Sequence, residues 1–337
     1  MPGVSLLDVY LSHRIGMIVG GPASTETTAH GGRERSMGYV FALARLVFFS
    51  NAGLRMNETP TMHLKPTATH DIPSSLDERT ERGSPGRFGY SWHIFNEILP
   101  VHEEQFRRWT APLPPDAWKG QDILDVGCGI GRNTYWPMLW GVRSALAIDL
   151  DERSLAAARR NLASFPDARV ERRSAYEIGE ENRFDIVYSI GVIHHLDDPL
   201  AAVKQMVGAA KPGGVVLIWL YGRENNDWLI RWFNPLRQAL FAKAPLGLVY
   251  ALAIPLATVL WIALRIFPFR LEYFRLIRRF SFRHLLAIVF DHMIPRIAHY
   301  YTQAEALNLL RDAGLEGVHA QPVNSVSWTV IGRKIAG

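Results

Sequence analysis

A short apolar run followed by three closely spaced glycines constrains the fold of this 337-residue chain more than any other feature. Residues 123–126 predict a buried strand, and the loop after it carries Gly127, Gly129 and Gly131, where the backbone can approach a ligand without a clash from a Cβ atom. A helix and a second apolar strand ending at Asp149 follow. This order predicts the start of a nucleotide-binding α/β sheet whose loop N–H groups face the ligand.

The spacing of the glycines indicates which class of nucleotide is bound. In the dinucleotide fingerprint the third glycine stands three residues after the second, but here that position is Arg132 and the third glycine comes one residue earlier. This spacing disfavours an NAD-dependent oxidoreductase. A GxGxG loop with Asp125 at the end of the preceding strand instead resembles motif I of class I S-adenosylmethionine (SAM)-dependent methyltransferases.

The resemblance continues, in order, over about residues 121–221. Three further segments match the family: the fourth strand at 184–189, a GVxHHL-type segment at 191–199, and a KPGG turn at 211–214. The resemblance implies an α/β fold, a Rossmann-like seven-stranded sheet with helices on both faces. The composition of this chain adds a helical apolar and basic insertion after strand five. Strands are expected near 121–126, 144–149, 169–173, 184–189 and 215–221, helices near 132–139, 152–163 and 198–210, and an antiparallel end pair near 317–324 and 327–332.

The resemblance also implies SAM as cofactor and assigns residues of the glycine loop to it. Gly127, Cys128, Gly129 and Gly131 would line the methionine and ribose portions of SAM, with Cys128 a small loop residue rather than a nucleophile. Asp125 would orient the loop or the SAM ammonium group.

Further positions of the predicted SAM site lie at the ends of the other strands. Asp149 would accept hydrogen bonds from both ribose hydroxyls, with Leu150 beside the adenine. The family often has Asp-Ala after strand three, whereas this chain has Ser174 and Ala175, so the contact to the adenine amino group lacks a charge. Finally, Ser189 and Ile190 end strand four, where the family brings SAM close to its acceptor.

Four side chains are candidates for a catalytic role: His194, His195, Tyr221 and Tyr300. Methyl transfer needs mainly alignment, so a general base is required only if the acceptor must lose a proton. No third ligand stands near the two histidines in the sequence, and we therefore predict no metal site.

The basic charge of the chain is concentrated in one segment. The whole chain carries a net charge of +5, whereas residues 222–304 contain eleven basic and four acidic residues, a net charge of +7. Composition and motifs divide the chain into an N-terminal extension, largely disordered (1–86), a lead-in helix covering the SAM site (87–119), the SAM-binding core (120–221), a helical cap insertion (222–300) and a C-terminal completion of the sheet (301–337). The FGYSW segment of the lead-in either packs over the SAM site or covers one edge of the sheet.

The cap contains a membrane-length apolar segment. Residues 244–264 carry no charge, and Pro255 in their middle predicts a broken helix or a hairpin. Residues 271–283 predict a single basic helix with an apolar face. Strands before and after the cap must pair, so a single crossing is excluded. We expect a cap that touches a membrane peripherally through 244–283; a soluble cap and a membrane hairpin are the alternatives.

Two classes of function follow from these patterns. The first is a SAM-dependent methyltransferase with a small-molecule or lipid-linked acceptor, without a nucleic-acid partner, in the cytoplasm or peripheral to the membrane. The alternative is a catalytically inactive, methyltransferase-like, membrane-associated scaffold. A further hypothesis is that the native chain starts at Met56 or Met62.

Overall fold

Seven strands form one sheet in the computed structural model, which describes residues 85–269 and 271–336. Their order across the sheet is β3-β2-β1-β4-β5-β7-β6; β1 to β5 are parallel, and β7 is antiparallel to both β5 and β6. The strands are β1 (Asp122–Val126), β2 (Ser144–Asp149), β3 (Ala168–Arg172), β4 (Phe184–Ile190), β5 (Ala210–Tyr221), β6 (Leu315–Val323) and β7 (Ser327–Lys334). The predicted class I methyltransferase sheet, with its antiparallel end pair, is therefore confirmed.

Helices cover both faces of the sheet because alternate strand residues point to opposite sides. On one face Leu124 and Leu146 pack in a core with the helices α5 (Pro199–Ala209) and α9 (Gln303–Arg311). On the other face the remaining strand residues pack against α2 (Pro100–Trp109), α3 (Arg132–Leu139) and α4 (Glu152–Asn161). The predicted helices 132–139, 152–163 and 198–210 correspond to α3, α4 and α5.

The lead-in consists of two helices, α1 (Pro85–Ile94) and α2. The FGYSW segment is itself helical, and α2 begins at Pro100, so the lead-in predicted as one helix is two. Proline suits the first position of a helix, and the Leu99 amide just before it donates to Nδ1 of His102 at 3.0 Å. The predictions for residues 1–84, including a native start at Met56 or Met62, lie outside the described residues.

The cap departs from prediction in two places. Residues 246–266 form one continuous helix, α6 (Leu246–Ile266), so the break predicted at Pro255 is wrong. Pro255 lies on the exposed face of this helix, and as a proline it removes one backbone hydrogen bond without ending the helix. The prediction of one basic helix over 271–283 is also wrong. Two helices stand there, α7 (Glu272–Ile277) and α8 (Phe282–Met293). A new helix begins after Ser281 because its hydroxyl caps α8 by accepting from the His284 amide at 3.2 Å.

Both ends of the cap are anchored at the end of β5. The Tyr301 amide donates to the Tyr221 carbonyl at 2.9 Å, and the Arg223 amide donates to the Tyr301 carbonyl at 2.8 Å. Thr302 and Glu305 form a capping box at the start of α9, with both reciprocal hydrogen bonds present. The cap thus leaves and returns to the sheet at one place, above the carboxyl end of β5.

Candidate functional site

The glycine loop joins β1 to α3 through residues in the left-handed region. Gly127, Gly129 and Gly131 have φ angles of 79°, 54° and 78°. A Cβ at Gly127 would lie 2.3 Å from Cγ2 of Val192, so space as well as φ requires glycine there. The local sequence therefore folds as its spacing predicted.

Most amides of this loop are bonded within the protein. Gly127 and Cys128 both donate to the Ile148 carbonyl, at 2.8 and 2.9 Å, and Gly131 donates to the Cys128 carbonyl at 2.9 Å. The Gly129 amide donates to Oδ2 of Asp149 at 2.9 Å. The expectation that the loop presents free N–H groups to a ligand is therefore wrong for these four residues, whose amides fix the shape of the loop instead.

The Asp149 carboxylate lies at the end of β2 beside this loop. Besides the Gly129 amide, it accepts from the Asp151 amide through Oδ1 at 3.1 Å. Burial raises the pKa of Asp149, and these backbone donors counteract the rise by stabilising the charged form. The two contacts hold the carboxylate in one orientation.

Asp125 ends β1 under the loop and is fully buried. Its Oδ2 accepts from the Thr134 hydroxyl at 2.7 Å, while Oδ1 has no hydrogen-bond partner. Burial, with the nearby charge of Asp149, raises the pKa of Asp125 to about 7. A buried carboxylate oxygen without a donor fits a cationic group of a ligand, because such a group would repay the desolvation of the carboxylate.

Three of the other predicted cofactor residues have structural roles. The Cys128 thiol is buried and its pKa lies well above the usual range through burial, so it stays protonated. The Ser189 hydroxyl donates to the Val126 carbonyl at 2.8 Å and joins β4 to β1. Ser174 accepts from the Tyr176 amide at 3.1 Å in a local turn.

The remaining three predicted residues lie at the strand ends without polar contacts of their side chains. Ala175 and Ile190 pack at the margins of the two cores that cover the faces of the sheet. Leu150, half-buried, follows Asp149, and its carbonyl accepts from Nε of Arg172 at 3.0 Å.

Helix α1 lies across the loop and over the adjoining end of the sheet. A Cβ at Gly89 would lie 1.9 Å from Cγ of Asp151, and the Trp92 indole approaches Gly129 closely, 3.4 Å from the position a Cβ would take. The Phe88 ring lies 4.8 Å from that of His195. Of the two predicted placements of this segment, the geometry favours the one over the loop.

Arg132 is a residue that the sequence interpretation did not assign to the site. Its guanidinium lies 4.8 Å from the Trp92 ring and 5.6 Å from the Trp109 ring, and no salt bridge to it is found among the described residues. Burial lowers its pKa, against the charges of Asp291 and Asp125. The sequence feature that could have indicated a role for Arg132 is its position directly after Gly131.

The four candidate catalytic side chains come together under the cap. The His194 ring lies 3.9 Å from that of Tyr221, and the His195 and Tyr300 rings lie 5.5 and 5.6 Å from it. His292 of α8 stacks on Tyr221 at 5.9 Å and was not predicted. Only tertiary folding brings these residues together, because they come from three distant segments.

These groups are held in their neutral forms. Burial lowers the pKa of His195 to about 3 and that of His194 well below its usual range. Burial also raises the pKa of Tyr300 to about 12 and raises that of Tyr221 well above its usual range. Nδ1 of His195 donates to the Ile297 carbonyl at 2.7 Å, which leaves Nε2 as the nitrogen that can accept a proton.

Arg237 places a positive charge beside this neutral cluster. It is 1% exposed, and its hydrogen bonds reach neutral acceptors, the Pro295 carbonyl and Oδ1 of Asn234. Its charge lowers the pKa of His195 and His292. No local pattern in the sequence marked this arginine. Within the described part of the chain, no group of three or more His, Cys, Asp or Glu side chains could hold a metal ion.

Comparison with known proteins gives the class of the core. Residues 124–218 match the family model described as "Methyltransferase domain". A ubiquinone biosynthesis O-methyltransferase of Thiobacillus denitrificans is 30% identical over 145 residues, which are 41% of this chain and 61% of that protein. A tRNA U34 carboxymethyltransferase of Methylococcus capsulatus is 31% identical over 149 residues, 43% of this chain and 45% of that protein.

The chain therefore spans less than two thirds of the length of either relative. Among solved structures, magnesium protoporphyrin IX methyltransferase from Synechocystis is similar with a TM-score of 0.45 and 12% identity, over 74% of this chain and 93% of that one. The match to the family model covers the glycine loop and most of the strands β1 to β5, and it ends before the cap.

Proposed function

We propose that this chain is a SAM-dependent methyltransferase with a small-molecule or lipid-linked acceptor. The observation that carries the proposal is the Asp149 carboxylate, fixed at the end of β2 by the Gly129 and Asp151 amides beside three left-handed glycines. The match of residues 124–218 to a methyltransferase domain supports it. SAM, when bound, supplies an electrophilic methyl group.

Four residues of the described site would hold SAM. Asp149 would accept hydrogen bonds from the ribose hydroxyls, and Oδ1 of Asp125, which has no donor, would accept from the ammonium group. Arg132, held between two tryptophans, would pair with the carboxylate of the methionine portion. Trp92 would close the site from above the loop.

The acceptor would lie against the aromatic cluster under the cap. Because Arg237 is buried beside neutral rings, its charge favours an acceptor that is anionic or becomes anionic, such as a phenol. His195 would take the acceptor proton at Nε2, but its pKa of about 3 makes it a weak base on its own. Stabilisation of the oxyanion by Arg237 would therefore carry more of the effect than proton removal by His195.

The names of the two relatives differ in the group transferred, methyl in one and carboxymethyl in the other, and in the acceptor. The name of the ubiquinone biosynthesis O-methyltransferase favours an oxygen acceptor, in keeping with the buried cation of Arg237 beside the aromatic cluster. The tRNA carboxymethyltransferase makes tRNA the competing acceptor, so nucleic acid has to be included in the test. We favour the small or lipid-linked phenol because the candidate catalytic side chains form a cluster of aromatic rings in which His194 and His195 are buried.

Isothermal titration with SAM, S-adenosylhomocysteine and NADH tests the cofactor. Asp149→Ala should weaken binding of the two adenosyl ligands at least tenfold, about 1.4 kcal/mol. Asp312→Ala, at an exposed acid beyond α9, is the matched control and should leave binding unchanged. Radiolabelled methyl transfer to a catechol acid, a bacterial lipid extract and total tRNA then identifies the acceptor class.

The alternative, an inactive scaffold, makes a different prediction for the same titration. A folded sample that binds neither adenosyl ligand would overturn the enzyme proposal and leave the scaffold. Binding of NADH alone would show that the glycine loop serves a dinucleotide. Arg237→Met should raise the KM for the acceptor while the Kd for S-adenosylhomocysteine stays constant, which separates the acceptor site from the cofactor site.

A further inference from the structure

Helix α6 is long and apolar enough to cross a membrane, yet most of it faces outward. Its most apolar 18-residue stretch has a mean hydropathy of 2.2 and is 17% buried. The buried residues Val249, Ala253 and Ala257 form one stripe, which packs against α8. Leu264, with the partly buried Leu260 and Trp261, belongs to a second hydrophobic cluster with α7 and α8, and the opposite face of α6 is exposed.

The outward face of α6 is continuous and almost without polar groups. Its largest exposed side chains are Leu248 (54% accessible), Leu252 (41%), Ile254 (40%), Ile262 (46%) and Ile266 (65%). The hydroxyl of Thr258, an exposed polar residue of this helix, donates to the Ile254 carbonyl at 2.9 Å. If this face were buried away from water, the hydroxyl of Thr258 would keep its hydrogen bond within the helix.

A second apolar stripe precedes α6 in the chain. The helical segment 229–241 exposes Trp232, Leu236 and Leu240, spaced four residues apart, with Trp232 61% accessible. Its inner side and that of α6 contribute to the same hydrophobic cluster, so both stripes lie on the outside of the cap. Tryptophan is the residue type that membrane interfaces favour.

Exposed cations stand at both ends of the α6 surface. Lys243 lies just before the helix, and Arg265 lies in its last turn with its guanidinium 3.3 Å from the Trp261 ring centroid. Arg278 donates to the Arg265 carbonyl at 3.4 Å, and Arg231 adjoins Trp232. Long basic side chains that flank an apolar surface can reach lipid headgroups while their stems stay in apolar contact.

The fold excludes a crossing by α6 alone. The chain before it leaves β5, and the chain after it returns to pair with Tyr221 and Gly222, so both flanks lie on one side. The packed return helix α8 has 12 residues, about 18 Å, too short for a hydrocarbon core of about 30 Å. A helix lying in the plane of the membrane surface is the arrangement compatible with the sheet.

We propose that the outer faces of α6 and of the segment 229–241 dock in the plane of an anionic lipid bilayer. A second copy of the chain is disfavoured because the cap carries a net charge of +7, and a symmetric dimer would bring two such caps together. An anionic bilayer satisfies both requirements: its headgroups complement the positive charge of the cap, and its apolar interior accepts the apolar face of α6. The inference does not depend on the proposed methyl transfer.

Co-sedimentation of the full chain with vesicles tests the docking. We expect binding to vesicles of phosphatidylcholine with phosphatidylglycerol, and weaker, salt-independent binding to phosphatidylcholine alone. The double variant Leu252→Glu, Ile262→Glu should lower the partition coefficient about tenfold or more. Its matched control is Leu139→Glu, Ile335→Glu, which changes two equally exposed apolar residues outside the cap, 53% and 52% accessible, and should bind as the wild type does.

A charge variant keeps the test independent of any effect on folding. Lys243→Glu, Arg265→Glu changes only exposed side chains and should selectively reduce binding to the anionic vesicles. Wild-type protein that remains in the supernatant with both vesicle types would overturn the proposal. So would light scattering that shows a dimer in solution which the Leu252→Glu, Ile262→Glu variant converts to a monomer.

Discussion

Two separate constraints act on single residues of the glycine loop. Gly127 has a left-handed φ of 79°, and the site of its missing Cβ is filled by Val192. Gly120 has a similar φ of 71° but no atom within 4 Å of that site. The sequence spacing identifies the glycines, whereas only the structure separates the two constraints.

Comparing Gly127→Ala with Gly120→Ala should measure the steric constraint that Val192 places on Gly127. We expect Gly120→Ala to cost roughly 1 kcal/mol from the backbone conformation alone. Gly127→Ala should cost at least about 3 kcal/mol, since the new methyl group also displaces Val192. Urea unfolding followed by circular dichroism measures both; equal losses would show that Val192 relaxes freely.

At the scale of elements, the position of α1 determines how the loop is covered. Three carbonyls accept from the Arg87 guanidinium, those of Ile294, Phe241 and Ala244, at 2.7, 2.8 and 3.2 Å. The Ser91 hydroxyl donates to Oδ1 of Asp291 at 2.5 Å. These contacts tie α1 to the cap while Gly89 brings it against Asp151 at the start of α4.

Gly89→Ala should displace α1 from the loop. The added Cβ would lie 1.9 Å from Cγ of Asp151, which is buried and caps α4 by accepting from the Arg153 and Ser154 amides. If α1 covers the cofactor, titration should show binding of S-adenosylhomocysteine weakened by about tenfold, with stability lowered by roughly 1–3 kcal/mol. Gly86→Ala, whose Cβ would be 3.9 Å from its nearest neighbour, is the control.

An unchanged affinity in a destabilised Gly89→Ala protein would contradict that role for α1. The same helix would then serve only to cover the sheet edge. A loss of affinity in Gly86→Ala as large as that in Gly89→Ala would show that helix content, and not the contact with Asp151, is responsible.

The molecule as a whole contains several buried histidines whose protonation the fold opposes. Burial lowers the pKa of His102 to about 2, that of His195 to about 3 and that of His284 to about 4. In the unfolded chain these groups titrate near 6.5, so they stabilise the fold above that pH and lose this contribution as pH falls below it. The pKa values of Asp125 and Asp291, raised to about 7 and about 6, act in the opposite direction.

Acid should therefore destabilise the protein before its ordinary carboxylates protonate. Five buried histidines have lowered pKa values, whereas three buried carboxyls, those of Asp125, Asp149 and Asp291, have raised ones. Because the histidines are in the majority, unfolding should take up protons between about pH 6 and 4.5, and the free energy of unfolding should fall by on the order of 1 kcal/mol per pH unit. His284→Phe should lower the proton uptake on unfolding by about one, because it removes a histidine whose pKa burial lowers to about 4. A phenylalanine can keep the stacking on Phe280, whose ring centroid lies 4.2 Å from that of His284, and Nδ1 of His284 has no hydrogen-bond partner to lose. Urea midpoints across this range measure the slope; a slope equal to that of the wild type would contradict the assignment.

The sequence alone determined the sheet, the glycine loop and the positions of Asp125 and Asp149. These features depend on short-range patterns: apolar runs, positive-φ glycines and the capping box of α9, each contained within a few residues. A local pattern gave the wrong prediction at Pro255. An isolated proline indicates a helix break, but α6 packs on α8 and is continuous through this residue.

Only the tertiary structure decided which residues meet in the site. Ser91 donates a hydrogen bond to Asp291, 200 residues away, and His195 donates one to a carbonyl 102 residues away. The burial of Arg237 and the outward face of α6 likewise arise from how the cap folds back on β5. No local spacing encodes such contacts, because burial and pKa depend on groups that come together only when distant segments pack.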